Sequence, residues 1–346
     1  MSSAVKHVSS EIAPRRPRLG FVGLGWIGRS RMESVMQADV AEICALHDVT
    51  AAMVNEGQKL APDAAVFSSF DELLDQDLDG VVIATPNCFH AEQAIAALKR
   101  GMAVFCQKPL GRNAAETRSI VEAARKNESL LGVDLTYRHI PAMQRVRSLV
   151  ETGALGKVFA VDAKFHNAYG PDKPWFYDLA LSGGGCVLDL GVHLIDLALE
   201  PLRSPAVTRV EAALFSKGRL LPQGSRDIED YGVATIETAD HTVITIGCSW
   251  NLHAGRPADI EISFYGTEGG ASLRNVDGSF YDFAGERFNR TEIETLTSAE
   301  DSQWKWAGLA TLDWVRKLAA NEPFDPAIDR LITVAEIMDN IYGHEA

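Results

Sequence analysis

Gly23-Leu24-Gly25-Trp26-Ile27-Gly28 is a glycine-rich turn set between an apolar run, Leu19 to Val22, and a helical stretch. A second apolar run ends in Asp48, about 20 residues past the third glycine. Three glycines alone mark many ordinary turns. With a strand before them, a helix after them and a spaced acid, they form a dinucleotide-binding fingerprint. Gly23 permits the tight turn, Gly25 lets the backbone approach a pyrophosphate, and Gly28 lets the helix pack closely on the strand. Trp26 and Ile27 open that helix, whose N–H groups and partial positive charge face the phosphates. Asp48 would accept hydrogen bonds from the adenosine ribose hydroxyls. A carboxylate there repels a 2′-phosphate, and Val49 and Thr50 follow it rather than an arginine, so NAD is expected over NADP. The plainer alternative for Asp48 is a turn residue at a strand end.

Outward from this turn, residues 18 to 138 alternate strand and helix. Strands are predicted at 19–23, 42–47, 80–84, 102–106 and 130–135, with helices such as His90 to Arg100 and Ala114 to Lys126 between them. That alternation predicts a parallel sheet covered on both faces, with ligands beyond the carboxyl ends of its strands. Gly23 to Gly28, Thr85-Pro86-Asn87 and Gln107-Lys108-Pro109 occupy that rim. After about residue 140 the pattern changes. A helix opens at Pro141, a strand runs from 157 to 166, and an irregular loop spans 167 to 182. Strands dominate from 206 to 283 without crossover helices, which predicts a largely antiparallel sheet. Helices return at about 302–320 and 326–342. The expected fold class is therefore α/β. It comprises a flexible leader at 1–17, a doubly wound Rossmann domain at 18–138, and an α+β domain at 139–346 with a large, mostly antiparallel open sheet.

The bulk numbers agree with a globular protein: 346 residues, 46% hydrophobic and 23% charged. A formal net charge of −14 argues against a nucleic-acid partner. No window holds the roughly 20 uninterrupted apolar residues of a membrane span. The five cysteines are scattered and never spaced as a metal pair, so no metal is expected and a cytoplasmic setting fits. Arg15-Arg16 suggests a twin-arginine export signal, but the apolar run behind it is the first strand of the nucleotide fold.

Two further segments carry chemistry. In Gly183-Gly184-Gly185-Cys186-Val187-Leu188-Asp189-Leu190-Gly191-Val192-His193, a helix would place Asp189 and His193 on one face. Such a pair beside a nucleotide suits general acid–base work, because a histidine near neutral pKa can take a proton from an alcohol. A histidine bonded within the core is the alternative. Gly191 inside the helix suggests a close approach there. Lys108 follows a buried strand at the rim and can stabilise a developing alkoxide, with an ordinary loop lysine as the other reading. Asn167, Tyr169, Trp175 and Asp178 could line a sugar pocket, Trp175 by stacking on a pyranose face. Trp175 as core packing is the alternative. Arg138 stands either near the cofactor or as an exposed helix-entry residue. Trp304, Trp306 and Trp314 read as packing.

These pieces together resemble the glucose–fructose oxidoreductase, inositol dehydrogenase and rhizopine-catabolism family of NAD(P)-dependent oxidoreductases. The resemblance rests on the glycine turn, Thr85-Pro86-Asn87 with His90, Gln107-Lys108-Pro109, Tyr137-Arg138 with Pro141, Gly153-Ala154-Leu155-Gly156-Lys157, and Gly183 to His193. It implies cofactor contacts across these motifs and a lysine, aspartate and histidine set, here Lys108, Asp189 and His193. It also implies a secondary hydroxyl of a sugar or cyclitol as the reacting group, and a homo-oligomer formed through the open sheet. The family usually carries Glu before the lysine; Gln107 here removes a charge that helps hold the lysine protonated, or simply supplies hydrogen bonds to the cofactor. Relatives with this fold also include redox-assisted glycosidases, which use NAD transiently, and NAD-sensing regulators.

Overall fold

The computed structural model describes residues 16–298 and 308–344. Most of the leader, Trp304, Trp306 and the expected helix start near 302 lie outside the described residues. The first sheet holds β1 (Arg18–Val22), β2 (Glu42–His47), β3 (Ala65–Val66), β4 (Gly80–Ile83), β5 (Ala103–Cys106) and β6 (Leu131–Val133). Its spatial order is β3-β2-β1-β4-β5-β6, and every pairing is parallel. β4 and β5 are buried at every residue, as expected of central strands covered on both faces. The crossovers carry α1 (Trp26–Ala38), α2 (Ala51–Leu60), α3 (Phe70–Leu74), α4 (His90–Lys99) and α5 (Ala114–Lys126). Strand order reverses between β1 and β4, which opens a crevice beyond their carboxyl ends. The glycine turn, Thr85 and Lys108 all follow strands that end there.

The second half contains α6 (Pro141–Glu151), β7 (Val158–Asn167), α7 (Leu179–Ser182) and α8 (Val192–Leu199). It continues with β8 (Val207–Ser216), β9 (Arg219–Leu220), β10 (Tyr231–Thr238), β11 (Val243–Ser249), β12 (Ala258–Gly266), β13 (Gly270–Asn275), β14 (Phe283–Asn289) and β15 (Glu292–Thr297). These nine strands form one sheet in the order β15-β14-β13-β12-β7-β11-β10-β8-β9. Only β7 and β11 pair in parallel, so the sheet is mostly antiparallel as predicted. Alternation along β10 shows its two sides: Gly232, Ala234, Ile236 and Thr238 are buried, while Tyr231, Val233, Thr235 and Glu237 stay half-exposed. α6 and α8 cover the buried side.

The last two helices are α9 (Leu309–Ala319) and α10 (Arg330–Tyr342). α9 returns to the first sheet. Trp314 stacks against Phe105 at 5.6 Å, and a Cβ on Gly80 or Gly132 would come within 2.8 or 2.7 Å of its ring. A single cut after residue 138 therefore does not describe the packing, because the C-terminal segment completes the core of the N-terminal sheet. Trp314 is packing, as the sequence predicts. Among the described residues one stretch, Leu179–Leu199, is long and apolar enough to cross a membrane by length and composition, but it is mostly buried inside the protein.

Candidate active site

The glycine turn has the geometry a dinucleotide requires. Gly23 sits at φ +83°, and a Cβ there would lie 2.5 Å from the Ala84 carbonyl. A Cβ on Gly28 would lie 2.0 Å from the Gly23 oxygen, which fixes how tightly α1 meets β1. A Cβ on Gly25 meets nothing within 4 Å. Among the described residues the space over Gly25 is open and no side chain caps the α1 N-terminus, so the residues fit a pyrophosphate held on backbone N–H groups. Asp48 accepts from Leu24 N at 2.7 Å through Oδ2 and from Thr50 N at 2.8 Å through Oδ1. Those bonds aim the carboxylate along the rim; each oxygen keeps a lone pair for a ribose hydroxyl. Trp26 is 59% exposed beside this turn.

The three glycines at 183–185 are each demanded by a neighbour. Gly183 has φ +86°, a Cβ on Gly184 would strike the Tyr342 hydroxyl at 2.3 Å, and one on Gly185 would strike the Glu229 carbonyl at 2.0 Å. The Glu229 carboxylate is buried at the start of the following helical run. It accepts from Gly185 N at 3.0 Å, Val187 N at 2.9 Å and the Tyr342 hydroxyl at 2.8 Å. A carboxylate suits the positive end of a helix. Burial nevertheless pushes Glu229 up to about 6. The helical run does not start as an α-helix: Val187–Gly191 is a π turn, and α8 continues from it. π turns are uncommon and recur at functional sites. Gly191 packs near Val187 and Cys248, which explains the small residue.

Asp189 lies in that π turn and meets Lys108 across the crevice. The lysine Nζ donates to Asp189 Oδ1 at 2.5 Å and to the Asp189 carbonyl at 2.7 Å. Trp250, which follows β11, donates its indole N–H to Asp189 Oδ2 at 3.0 Å. His193 stands one turn beyond, in α8. It packs edge-on to Tyr137 at 4.9 Å and beside Phe165 at 6.3 Å. Burial, followed by the charges of Lys108 and Arg31, holds His193 well below the ordinary histidine range, so its imidazole is neutral near pH 7. A neutral imidazole beside a lysine–aspartate pair can accept the proton of an alcohol. Asp189 has both oxygens committed to Lys108 and Trp250, and its position is set by them.

An aromatic wall borders this group. Trp175 stacks on Phe176 at 3.8 Å, and Phe176 and Tyr177 both meet the Trp250 ring edgewise, at 6.2 and 5.7 Å. Asn167 ends β7 with a buried Oδ1 that has no hydrogen-bond partner among the described residues. Tyr169 is exposed, and Asp178 caps α7 by accepting from Ala180 N at 2.9 Å. Sequence reasoning missed Trp250, Glu229 and Tyr342. Nothing near them in the chain marks them: Glu229 precedes β10, Trp250 follows β11 and Tyr342 ends α10.

Several expected cofactor contacts take other roles. His90 is fully buried, with its ring nitrogens 2.8 Å from the Pro109 and Thr85 carbonyls, and burial holds it below the usual range. It braces two rim segments from beneath and has no surface to offer a cofactor. Arg138 forms a buried bidentate pair with Asp196 of α8, so it is neither exposed nor free for a phosphate. The Asn87 amide donates to the Ser182 carbonyl at 2.8 Å, tying the rim to the glycine segment. Thr85 bonds to Gln93 at 2.7 Å, and with Pro86 it remains partly exposed at the crevice. Gln107 donates to Asp134, whose same oxygen accepts from Arg31 Nε at 2.6 Å. This buried trio links α1 to the ends of β5 and β6. The carboxylate facing Lys108 comes from Asp189, so the role expected of the residue before the lysine is filled from the other half of the chain.

Residues 17–135 match the family described as "Oxidoreductase family, NAD-binding Rossmann fold", and residues 143–272 match the "GFO/IDH/MocA C-terminal domain". The chain belongs to the Gfo/Idh/MocA oxidoreductase family. Within that family it is similar to the D-glucoside 3-dehydrogenase of Escherichia coli (strain K12), at 30% identity over 64% of this chain and 67% of the relative. GenD2 from gentamicin A biosynthesis, solved in complex with NAD, is similar at 25% identity with a TM-score of 0.78, covering 95% of this chain and 93% of that one. Levoglucosan dehydrogenase in complex with NADH shares the fold at a TM-score of 0.81 and 22% identity, covering 95% of this chain and 97% of that one.

Proposed function

We propose that this Gfo/Idh/MocA protein is an NAD-dependent dehydrogenase that interconverts a secondary hydroxyl of a sugar or cyclitol with the matching ketone. The observation that carries this reading is the Lys108–Asp189 pair, closed across the crevice beside a buried, neutral His193. NAD, when bound, supplies the hydride acceptor. In the oxidative direction the carbinol carbon gives up a hydride and its oxygen gives up a proton, which His193 takes. Lys108 donates to the reacting oxygen and stabilises its developing negative charge. Asp189 holds Lys108 in place. Trp175 and the aromatic residues beside it offer a flat apolar surface to the C–H face of a pyranose. The names of the relatives support sugar substrates, and the D-glucoside and levoglucosan enzymes favour pyranoses over linear polyols.

NAD is preferred over NADP because Asp48 is fixed beside the glycine turn by Leu24 N and Thr50 N, where a 2′-phosphate would meet its charge. The half-exposed side of the nine-stranded sheet offers a surface for a second copy, so the working unit is a homo-oligomer. Five free cysteines and no disulfide among the described residues fit a cytoplasmic setting. The test is an absorbance screen at the NADH band with glycosides, anhydrosugars, aldoses and inositols, run with each coenzyme. NADH formation with at least one pyranose or cyclitol is expected. Calorimetry that finds no affinity for either coenzyme ends this reading, and net glycoside cleavage without NADH accumulation replaces it with a redox-assisted glycosidase.

A further inference from the structure

We propose that Trp250 is a positioning residue: its indole N–H fixes the Asp189 carboxylate so that Lys108 is aimed at the reacting oxygen. The proposal rests on the dehydrogenase reading above for its chemistry, but its geometry stands without it. Lys108 occupies one Asp189 oxygen and the Asp189 carbonyl, and Trp250 occupies the other oxygen. Without that indole, Oδ2 would be a partly buried acceptor with no protein partner, and the carboxylate could rotate about its Cβ–Cγ bond. Rotation would draw Lys108 Nζ with it. The N–H therefore fixes which oxygen the lysine meets.

Trp250 is itself tightly held. It is 2% exposed, its backbone N–H donates to the Asp230 carbonyl at 2.8 Å, and Phe176 and Tyr177 pack edgewise on its ring. Those two residues belong to the loop that carries Trp175, so one ring joins the aromatic wall to the charged pair. Substrate seated on the wall and substrate met by Lys108 are thereby held in one frame. The titratable groups facing Asp189 are Lys108 beyond β5, Tyr137 beyond β6, Tyr177 in the loop, and Cys186 at the start of its own helical run. None of these can replace the indole as a donor to Oδ2 without moving.

Trp250→Phe keeps a ring for Phe176 and Tyr177 and removes only the N–H. We expect kcat to fall about ten-fold or more, with KM for the sugar within about three-fold, because an aimed hydrogen bond to a charged group is lost while the wall remains. A lower Tm with kcat unchanged overturns the proposal and leaves Trp250 as packing. Should Trp250→Phe fail to fold, indole-15N-labelled wild-type protein carries the test. One indole N–H resonance should move in Asp189→Asn, and six resonances that all stay in place overturn the proposal. A wild type without dehydrogenase activity defeats the functional reading instead, and the indole resonance in Asp189→Asn still reports whether Trp250 senses Asp189.

Discussion

Lys108 and Asp189 are 81 residues apart in the chain, yet the lysine Nζ bonds to both the carboxylate and the backbone carbonyl of the aspartate. The lysine follows β5 of the first sheet, and the aspartate sits in the helical run that packs on the second. Each side chain keeps less than a fifth of its surface exposed. A pair at this depth is costly to break one partner at a time, because the remaining charge is left without compensation. The contact is also doubly determined, since the carbonyl bond depends on the π turn as well as on the side chain.

Removing either partner should therefore act on the chemical step. Lys108→Met and Asp189→Asn are each expected to lower kcat by about 10²- to 10⁴-fold with modest change in KM for the sugar. Steady-state rates of NADH formation check this, with calorimetry showing that coenzyme affinity is retained. His193→Ala should show a loss of similar size. Wild-type rates in both Lys108→Met and His193→Ala would exclude the proposed roles.

Two alanine substitutions in one turn should have opposite signatures. Gly25→Ala adds a methyl in open space, so stability should change by only about 0.5 kcal/mol while NAD affinity falls, because the methyl occupies the approach of the pyrophosphate. Gly28→Ala drives a Cβ to 2.0 Å from the Gly23 carbonyl and should cost about 1–3 kcal/mol before any coenzyme is added. Thermal unfolding with and without NAD separates the two effects.

Glu229 should make stability depend on pH. Its folded value is raised to about 6 from 4.5, so the folded protein binds the proton more tightly than the unfolded chain. The associated stability is fully present below about pH 4.5 and is lost as pH rises through about 6, a change of about 2 kcal/mol. Glu229→Gln should remove this slope between pH 4.5 and 6.5. Denaturant titrations across that range check it, and an unchanged slope in the variant would assign the dependence elsewhere.

Restoring the acid usual in the family should not simply improve the site. Gln107 already donates to Asp134, so Gln107→Glu places two buried carboxylates in contact, and one of them must hold a proton. The folded value of that pair is raised, so the variant should lose stability as pH rises from 5 to 8. The expected penalty is about 1–3 kcal/mol at the upper end, partly offset by Arg31. Tm measured at pH 5 and pH 8 for both proteins tests this.

The N-terminal half was legible because its signals are local. The glycine turn and the apolar runs place every strand of the first sheet except the two-residue β3, which is too short to show a pattern. Asn113, for instance, caps α5 by accepting from Glu116 N, a contact three residues apart that sequence spacing encodes. Lys108, Asp189 and His193 were visible as chemistry-bearing residues in suggestive places, and the fold brings Lys108 to Asp189. The roles of His90, Arg138 and Gln107 were not legible. Each is a polar residue at the rim, and whether it faces a ligand or a buried partner depends on what lies opposite it: two carbonyls for His90, Asp196 for Arg138, Asp134 for Gln107.

By itself the sequence determined that a nucleotide-binding parallel sheet comes first and a mostly antiparallel sheet second, because strand periodicity and glycine turns are read within a few residues. It also determined the small residues at 183–185, whose necessity the fold then explains. Only the tertiary structure decided which side chains share a hydrogen bond across the crevice, that Trp250 completes the coordination of Asp189, and that α9 closes the core of the first sheet. Those outcomes depend on contacts between segments far apart in the chain, and a linear pattern of polarity carries no record of which distant surface will bury it.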